Sequence, residues 1–295
     1  MRVYVSGATG FVGAHVAEAL RAAGADVRDE RVDLLDTVAL ERAADGCEAV
    51  VHVAALYSYD APEREFEHVN VEGTRNVLEA AARKGVRRFV FTSTAGTCGP
   101  VPGRIANEDD APPAWELTVP YKRTKLAAEK LALDAGAVAV NPTTPIGPGD
   151  RKPTPTGQMI AGVASGRLRG FVATTGLNLV DVRDVARGHV LAVERGEPGE
   201  RYLLGGVNLP LQDVFAAIAD LAGRPRPRLR VPYALAEMAA RAGFANPEEV
   251  KLARLPMYFT SEKARVRLGY EPGPVEPALA LAVAEALNVD GKGGA

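Results

Sequence analysis

The chain has 295 residues, enough for one large or two modest domains, and its 47% hydrophobic and 24% charged residues are the balance of a folded protein with a substantial core. A formal net charge of −2 without a concentrated basic stripe argues against a nucleic-acid partner, and the short apolar runs argue against membrane insertion. Two cysteines at unrelated spacing, Cys47 and Cys98, supply neither a disulfide framework nor a metal site, and with no basic leader or signal core before the first strand a cytoplasmic location is expected.

The chain opens on an apolar strand, Val3-Tyr4-Val5, that runs directly into Gly7-Ala8-Thr9-Gly10-Phe11-Val12-Gly13 and a helix at 11–23. This G-x-x-G-x-x-G differs by one residue from the general dinucleotide fingerprint. Gly7 permits the sharp exit from the strand, Gly10 lets backbone amides approach a pyrophosphate, and Gly13 lets the first helical turn pack on the sheet. The pattern then predicts a short strand at 25–28, Asp33-Leu34-Leu35-Asp36 leading into a helix to 44, and a buried strand at 49–54. A polar loop around Leu56-Tyr57-Ser58-Tyr59-Asp60-Ala61-Pro62 precedes a helix at 66–84, stopped by Gly85, then a strand at 89–91, a helix at 121–135 and a strand at 137–140.

Strands alternating with helices mark an α/β protein, a Rossmann-like doubly wound parallel sheet, over residues 1–141. Beyond that, proline-rich pieces at 142–155, 225–232 and 272–277 alternate with helices at 181–195 and 211–221. Residues 142–295 are therefore read as a smaller α/β substrate lobe, some segments of which return to the first sheet, with a disordered tail from Asp290.

Tyr121-Lys122-Arg123-Thr124-Lys125 opens a predicted helix, and a tyrosine and lysine four apart share a helical face. A phenol of ordinary pKa is a poor base at neutral pH; a nearby ammonium favours the phenolate, so Tyr121 can exchange a proton with a substrate hydroxyl or carbonyl. Many solvated helices carry the same spacing, and here the glycine turn favours the catalytic meaning. His52 lies in an apolar strand and His189 on a helix with Val185 and Val193, while His15 and His68 have no ligand-like neighbours; all four read as packed or capped residues, and no metal is predicted.

These motifs together resemble the extended short-chain dehydrogenase/reductase family, also called the NAD-dependent epimerase/dehydratase family. The glycine turn is similar to its nucleotide motif, Val51-His52-Val53-Ala54-Ala55 to the strand end beneath the cofactor, Phe91-Thr92-Ser93-Thr94-Ala95 to the strand carrying the catalytic Ser or Thr, and Tyr121 with Lys125 to its Tyr-x-x-x-Lys signature. Leu179-Val180-Asp181-Val182-Arg183-Asp184 and the Leu-Gly-Tyr-x-Pro ending at Pro272 extend the likeness along nearly the whole chain. Asn141-Pro142-Thr143-Thr144-Pro145-Ile146-Gly147-Pro148 most resembles the branch called hopanoid-associated sugar epimerases, itself similar to dihydroflavonol reductases.

The resemblance implies roles. Thr94 hydrogen-bonds the substrate oxygen, with Ser93 as its neighbouring alternative; Tyr121 moves the proton; Lys125 lowers the tyrosine pKa and holds the nicotinamide ribose. Gly7, Thr9, Gly10, Phe11, Val12 and Gly13 take the pyrophosphate side, Asp33 and Leu34 border adenine, and Val53, Ala54, Ala55, Thr92, Asn141, Pro142, Thr143 and Thr144 line the nicotinamide side. Tyr57 and Asn141 border the substrate, while Asn70 is either a structural amide or a contact to a catalytic water.

The segment from Arg28 to Asp33 is shorter than in most relatives, so the adenosine side is abbreviated. Asp29 or Glu30 suits the ribose hydroxyls of NAD; Arg28 or Arg31 suits the 2′-phosphate of NADP, which is the expected cofactor with NAD as the alternative. Cys98 stands where many sugar-nucleotide epimerases have tyrosine, and Gly157-Gln158-Met159-Ile160 lacks the pattern with which such epimerases grip a diphosphate. Three functions follow: a reductase or dehydrogenase acting on a carbonyl or secondary alcohol of a small or sugar-like molecule, an epimerase with tightly held NAD, or a non-catalytic dinucleotide sensor. Family members dimerise through the helix from Phe66 and the helix bearing Tyr121, implying a homodimer.

Overall fold

The computed structural model describes residues 1–58 and 61–292, with side chains through residue 288. Tyr59 and Asp60 of the predicted polar loop, and residues 293–295 of the predicted tail, lie outside the described residues. Strand β1 (Arg2–Ser6), helix α1 (Phe11–Ala22), β2 (Asp26–Arg28), α2 (Thr37–Ala44), β3 (Ala49–His52), α3 (Glu63–Phe66), α4 (Gly73–Arg83), β4 (Arg88–Thr92), α5 (Pro120–Asp134) and β5 (Val138–Pro142) build the first half. The second half adds β6 (Thr144–Ile146), α6 (Pro155–Ala164), β7 (Gly170–Val172), β8 (Gly176–Asp181), α7 (Val182–Arg195), β9 (Arg201–Leu204), β10 (Val207–Pro210), α8 (Leu211–Leu221), β11 (Leu229–Val231), α9 (Tyr233–Arg241), α10 (Pro247–Leu252), α11 (Glu262–Leu268) and α12 (Glu276–Lys292). Helix α12 runs through Asp290, where the sequence suggests a disordered tail.

A six-stranded parallel sheet of order β2-β1-β3-β4-β5-β9 forms the centre. Covered on both faces, its inner strands carry unbroken apolar runs such as Ala49-Val50-Val51 instead of an alternating pattern. Val16, Ala17 and Leu20 of α1 pack one face together with Val185, Ala186 and Val193 of α7. Leu40 of α2 and Val77 of α4 cover β1 and β3 on the other face, and Ala128 and Ala132 of α5 cover Phe91 and Ala139. Helix α7 and strand β9 are thus the late segments that join the large sheet. A second core lies between α6, α8 and α12, where Ile160, Val163, Phe215, Ile218, Leu279 and Val283 meet a three-stranded sheet of order β10-β8-β6.

The chain leaves β1 for β2 on one side and returns to β3 on the other, so a crevice opens at the carboxyl ends of β1 and β3. The predicted helix at 66–84 begins instead at Glu63 and passes through a π-helical stretch, Glu67–Glu72, before α4. That wide turn carries Asn70, which is 1% exposed. Its Oδ1 accepts from the Leu56 amide at 2.8 Å, and its Nδ2 donates to the Leu56 carbonyl at 3.2 Å and to Thr124 Oγ1 at 3.1 Å. Asn70 is therefore the structural amide of the two sequence alternatives, pinning the loop after β3 to α5. Among the described residues no helix is long and apolar enough to cross a membrane.

Asn70→Ala leaves the Leu56 amide and carbonyl buried without partners, so it should cost about 1–3 kcal/mol in chemical denaturation and speed proteolysis within residues 53–58.

Candidate active site

A cleft of about 1970 Å³ runs across the carboxyl ends of β1, β3, β4 and β5 and on between α6, α8, α10 and α12. At its floor the three glycines act differently. Gly7 has φ +76°, and a Cβ there would lie 2.5 Å from the Ala54 amide nitrogen; a Cβ on Gly13 would strike the Gly7 carbonyl. Both glycines let β1, β3 and α1 close on one another. Gly10 would meet only the Gly7 carbonyl, at 3.3 Å. It is the N-cap of α1 and offers no side-chain cap, and Phe11, Val12 and Gly13 line the cleft. First-turn amides at the positive end of a helix, with open space before them, fit an anionic pyrophosphate.

At the adenosine end Asp29, Arg31, Asp33 and Leu34 line the cleft. Arg28 does not: its guanidinium donates to the carbonyls of Arg42, Ala43 and Asp45 at 3.3, 3.4 and 3.0 Å, capping the C-terminus of α2. This corrects its assignment to a cofactor phosphate, because those carbonyls have already claimed the donor. Asp29 is paired with Arg21 at 2.6 Å, and Asp33 Oδ1 accepts from the Leu35 amide at 3.0 Å. Val53, Ala54, Ala55, Thr92, Pro142, Thr143 and Thr144 all line the cleft, as do Thr9 and Tyr57.

Helix α5 starts with Pro120 at its first position, where the missing N–H costs nothing, and presents Tyr121, Lys125 and Glu129 four residues apart on one face. Lys125, 2% exposed, donates from Nζ to the Thr92 carbonyl at 2.6 Å and sits 4.2 Å above the Phe91 ring. Burial pushes its pKa down to about 7, against a smaller upward pull from Glu129. Below it the His189 Nδ1 donates to the Val185 carbonyl at 2.8 Å, which leaves Nε2 to accept from Thr92 Oγ1 at 2.8 Å. Burial drops the pKa of His189 to about 4, so it is a neutral prop under Thr92.

The Tyr121 ring lies 4.5 Å from that of Tyr57. Burial raises the phenol above its ordinary value, Tyr57 adds to the rise, and only the Thr94 side chain opposes it. The expected lowering by Lys125 is thus corrected: the ammonium is turned to Thr92, and desolvation of the phenolate dominates. The Ser93 hydroxyl is buried, lines the cleft and has no partner among the described residues, which leaves it available to a substrate oxygen.

Asn141 is fully buried and absent from the cleft wall. Its Nδ2 reaches the Thr94 carbonyl at 3.2 Å, Thr97 Oγ1 at 2.9 Å and Glu129 Oε2 at 2.5 Å, while Glu129 Oε1 accepts from Arg201 at 2.9 Å. Asn141 therefore supports the Thr94 backbone from behind, which corrects its assignment to cofactor and substrate contact. Sequence reasoning missed this network, although Glu129, one further turn along the Tyr121–Lys125 face, was a signal for it. It also missed Lys122, which lines the cleft and pairs with buried Glu116 at 3.0 Å. His52 bonds Ser6 and Thr74, Trp115 lies under Arg254 outside the cleft, and burial pushes the Cys98 thiol up to about 12.

A parallel switch-point crevice with an uncapped glycine turn on one side and a Thr-Tyr-Lys group on the other defines the class of enzymes that bind a nicotinamide dinucleotide and work on an oxygen-bearing carbon. A model of the NAD dependent epimerase/dehydratase family matches residues 3–205, and the chain belongs to that family. It is 37% identical to a putative dihydroflavonol 4-reductase of Synechocystis over 95% of this chain and 93% of that one. It is 34% identical to sterol demethylase protein B of Methylococcus capsulatus over 96% and 98%. The solved structure of PA4631, a nucleoside-diphosphate-sugar epimerase from Pseudomonas aeruginosa, superposes with a TM-score of 0.84 at 26% identity, covering 99% of this chain and 98% of that one. The chain is an NAD(P)-dependent enzyme of this oxidoreductase and epimerase family.

Because the buried ammonium of Lys125 is disfavoured, the folded chain binds fewer protons at this site than the unfolded chain between about pH 7 and the ordinary lysine value, and the charged form destabilises the fold below that window. Lys125→Met should therefore abolish turnover yet raise stability by on the order of 3 kcal/mol at pH 6, the gain shrinking toward pH 10; denaturation curves across that range check the sign.

Proposed function

We propose that the chain is a reductase that converts a carbonyl on a bulky, largely apolar small molecule to a secondary alcohol, using NADPH. The observation that carries this reading is the wall of the cleft beyond Tyr121, where Ile160, Leu168, Val172, Leu177, Phe215 and Met257 converge from the second half of the chain. An apolar cage of this kind binds a hydrocarbon framework and leaves orientation to the few polar groups at its end, Ser93, Thr94 and Tyr121. The names of the Synechocystis and Methylococcus relatives, a flavonol-type reductase and a sterol-processing protein, agree with such a substrate.

When bound, the nicotinamide supplies the hydride to the carbonyl carbon. Thr94 and Ser93 donate hydrogen bonds to the carbonyl oxygen and stabilise its growing negative charge. Tyr121, kept protonated at neutral pH by burial, gives its proton to that oxygen, the direction reduction requires. Lys125 holds the nicotinamide ribose in this reading. With Arg28 engaged elsewhere and Asp29 neutralised by Arg21, Arg31 is the group in this reading that meets the 2′-phosphate of NADP. A homodimer through the outer faces of α4 and α5 and a cytoplasmic location complete it.

A second reading, an epimerase with tightly held NAD, is supported by Arg151, Lys152 and Arg167 at the far end of the cleft, which could meet a sugar diphosphate.

Tyr121→Phe should lower kcat by about 10²–10⁴-fold while dinucleotide binding, followed by fluorescence titration, stays unchanged. Arg31→Ala should raise KM for NADPH about ten-fold and leave NADH unaffected. Net oxidation of NADPH with apolar ketones is expected; purified protein that carries NAD and shows no net turnover would establish the epimerase reading instead.

A further inference from the structure

Among the described residues strand β11 pairs only with β7, and together with α9 and α10 these strands form a wall with the cleft on one side and solvent on the other. The inner side is apolar: Gly170, Val172, Val250 and Leu252 line the cleft, and Ala236, Ala240 and Val250 pack with Val172 and Val231. The same segment also carries large apolar side chains that are exposed. Leu229 is 63% exposed, Leu235 55%, Met238 63% and Phe244, at the turn leaving α9, 87%. A lone exposed leucine needs no explanation, but a run of large apolar side chains along one strand and the following helix marks a surface that meets something apolar.

Arginines frame this run. Arg224, Arg226, Arg228 and Arg230 alternate through the segment leading into α9, and Arg167 and Arg169 lie at the start of β7, whose backbone joins Leu229 at 3.4 Å. All six are exposed. Arg226 is neutralised by Asp220, but none of the other five has a carboxylate partner among the described residues. In a chain of net charge −2 this is a concentration of positive charge around apolar side chains, which corrects the expectation of no concentrated basic stripe; of the five arginines without a carboxylate, Arg230 donates to Gln212 at 2.6 Å. Leu168, flanked by Arg167 and Arg169, is 40% exposed and also lines the cleft, so the cleft opens onto this same face.

We propose that the β7–β11–α9 face docks on the surface of an anionic phospholipid bilayer, with the arginines among the headgroups and Leu235, Met238 and Phe244 at the acyl boundary. Anionic headgroups match the guanidiniums, and the acyl boundary accepts side chains that water does not. The contact is peripheral and spans nothing. It places the mouth of the cleft at Leu168 against the bilayer, where an apolar ketone dissolved in lipid passes into the site without crossing water. Docking stands on the surface alone; the delivery of an apolar ketone rests on the function proposed above.

The test is flotation of the full chain with vesicles of phosphatidylcholine alone or of phosphatidylcholine and phosphatidylglycerol in equal parts, with no substrate present. Binding to the anionic vesicles only is expected. Arg224→Ser, Arg228→Ser and Arg230→Ser together should cut that binding about a hundred-fold, and Met238→Ser with Phe244→Ser should also weaken it strongly. Both variants should keep the melting temperature and their turnover of a freely dissolved ketone. Equal binding to neutral and anionic vesicles, no binding to either, or undiminished binding by well-folded variants would overturn the proposal. So would a change in sedimentation of the Met238→Ser, Phe244→Ser variant without lipid, because the face would then be covered by a second copy. Vesicle binding without reduction of any apolar ketone would instead overturn the substrate reading and leave docking in place.

Discussion

The close approach of β1 and β3 at their carboxyl ends is the constraint from which the rest of the site follows. Gly7, with its positive φ, lets the chain turn out of β1 with no side chain between it and Ala54, and Gly13 lets α1 start directly beneath the Gly7 carbonyl. A methyl group at either position would push the strand, the helix or both outward. Because they close, the uncapped N-terminus of α1 faces the crevice at the point where strand order reverses, and the loop after β3 passes close enough to be gripped by Asn70. Favourable packing of parallel strands and the electrostatics of a helix end thus meet at one place.

Helix α5 sets the opposite side of the site by bringing three ionisable or polar groups into a row. Tyr121 reaches Thr94, Lys125 reaches the carbonyl of Thr92, and Glu129 with Arg201 and Asn141 holds the backbone that carries Thr94. The row costs desolvation at each step, which the structure distributes unevenly. Glu129 has a full ion-pair partner in Arg201, whereas Lys125 has only a carbonyl and an aromatic face, and its affinity for the proton falls accordingly. A lysine held this way gains most from an incoming polar ligand.

The second half of the chain supplies a different physics. Its core is apolar on the inside, and α9 and β11 also expose Leu229, Leu235 and Met238 beside the Glu237–Arg241 ion pair and the arginines.

Local sequence carried the nucleotide half because its signals are local. Glycine spacing, doubly covered apolar strands and a tyrosine and lysine one turn apart are each fixed by backbone sterics or helical periodicity within a few residues, and α8 at Leu211–Leu221 was legible for the same reason. The short strands β6, β7, β8, β10 and β11 were not, since three to six residues give no period to read and they pair with partners distant in sequence. Side-chain expectations failed where a group had a closer partner in space than in sequence: Arg28 was taken by the carbonyls ending α2, Asn141 by Thr94, Thr97 and Glu129, and the expected pull of Lys125 on the Tyr121 phenol was lost as its ammonium turned to Thr92. Composition and motif therefore determined that a dinucleotide fold with a Thr-Tyr-Lys group would form, whereas only the tertiary structure decided which of its polar groups face the cleft, because burial drives most buried donors to a nearby acceptor and leaves a few, such as Ser93, open.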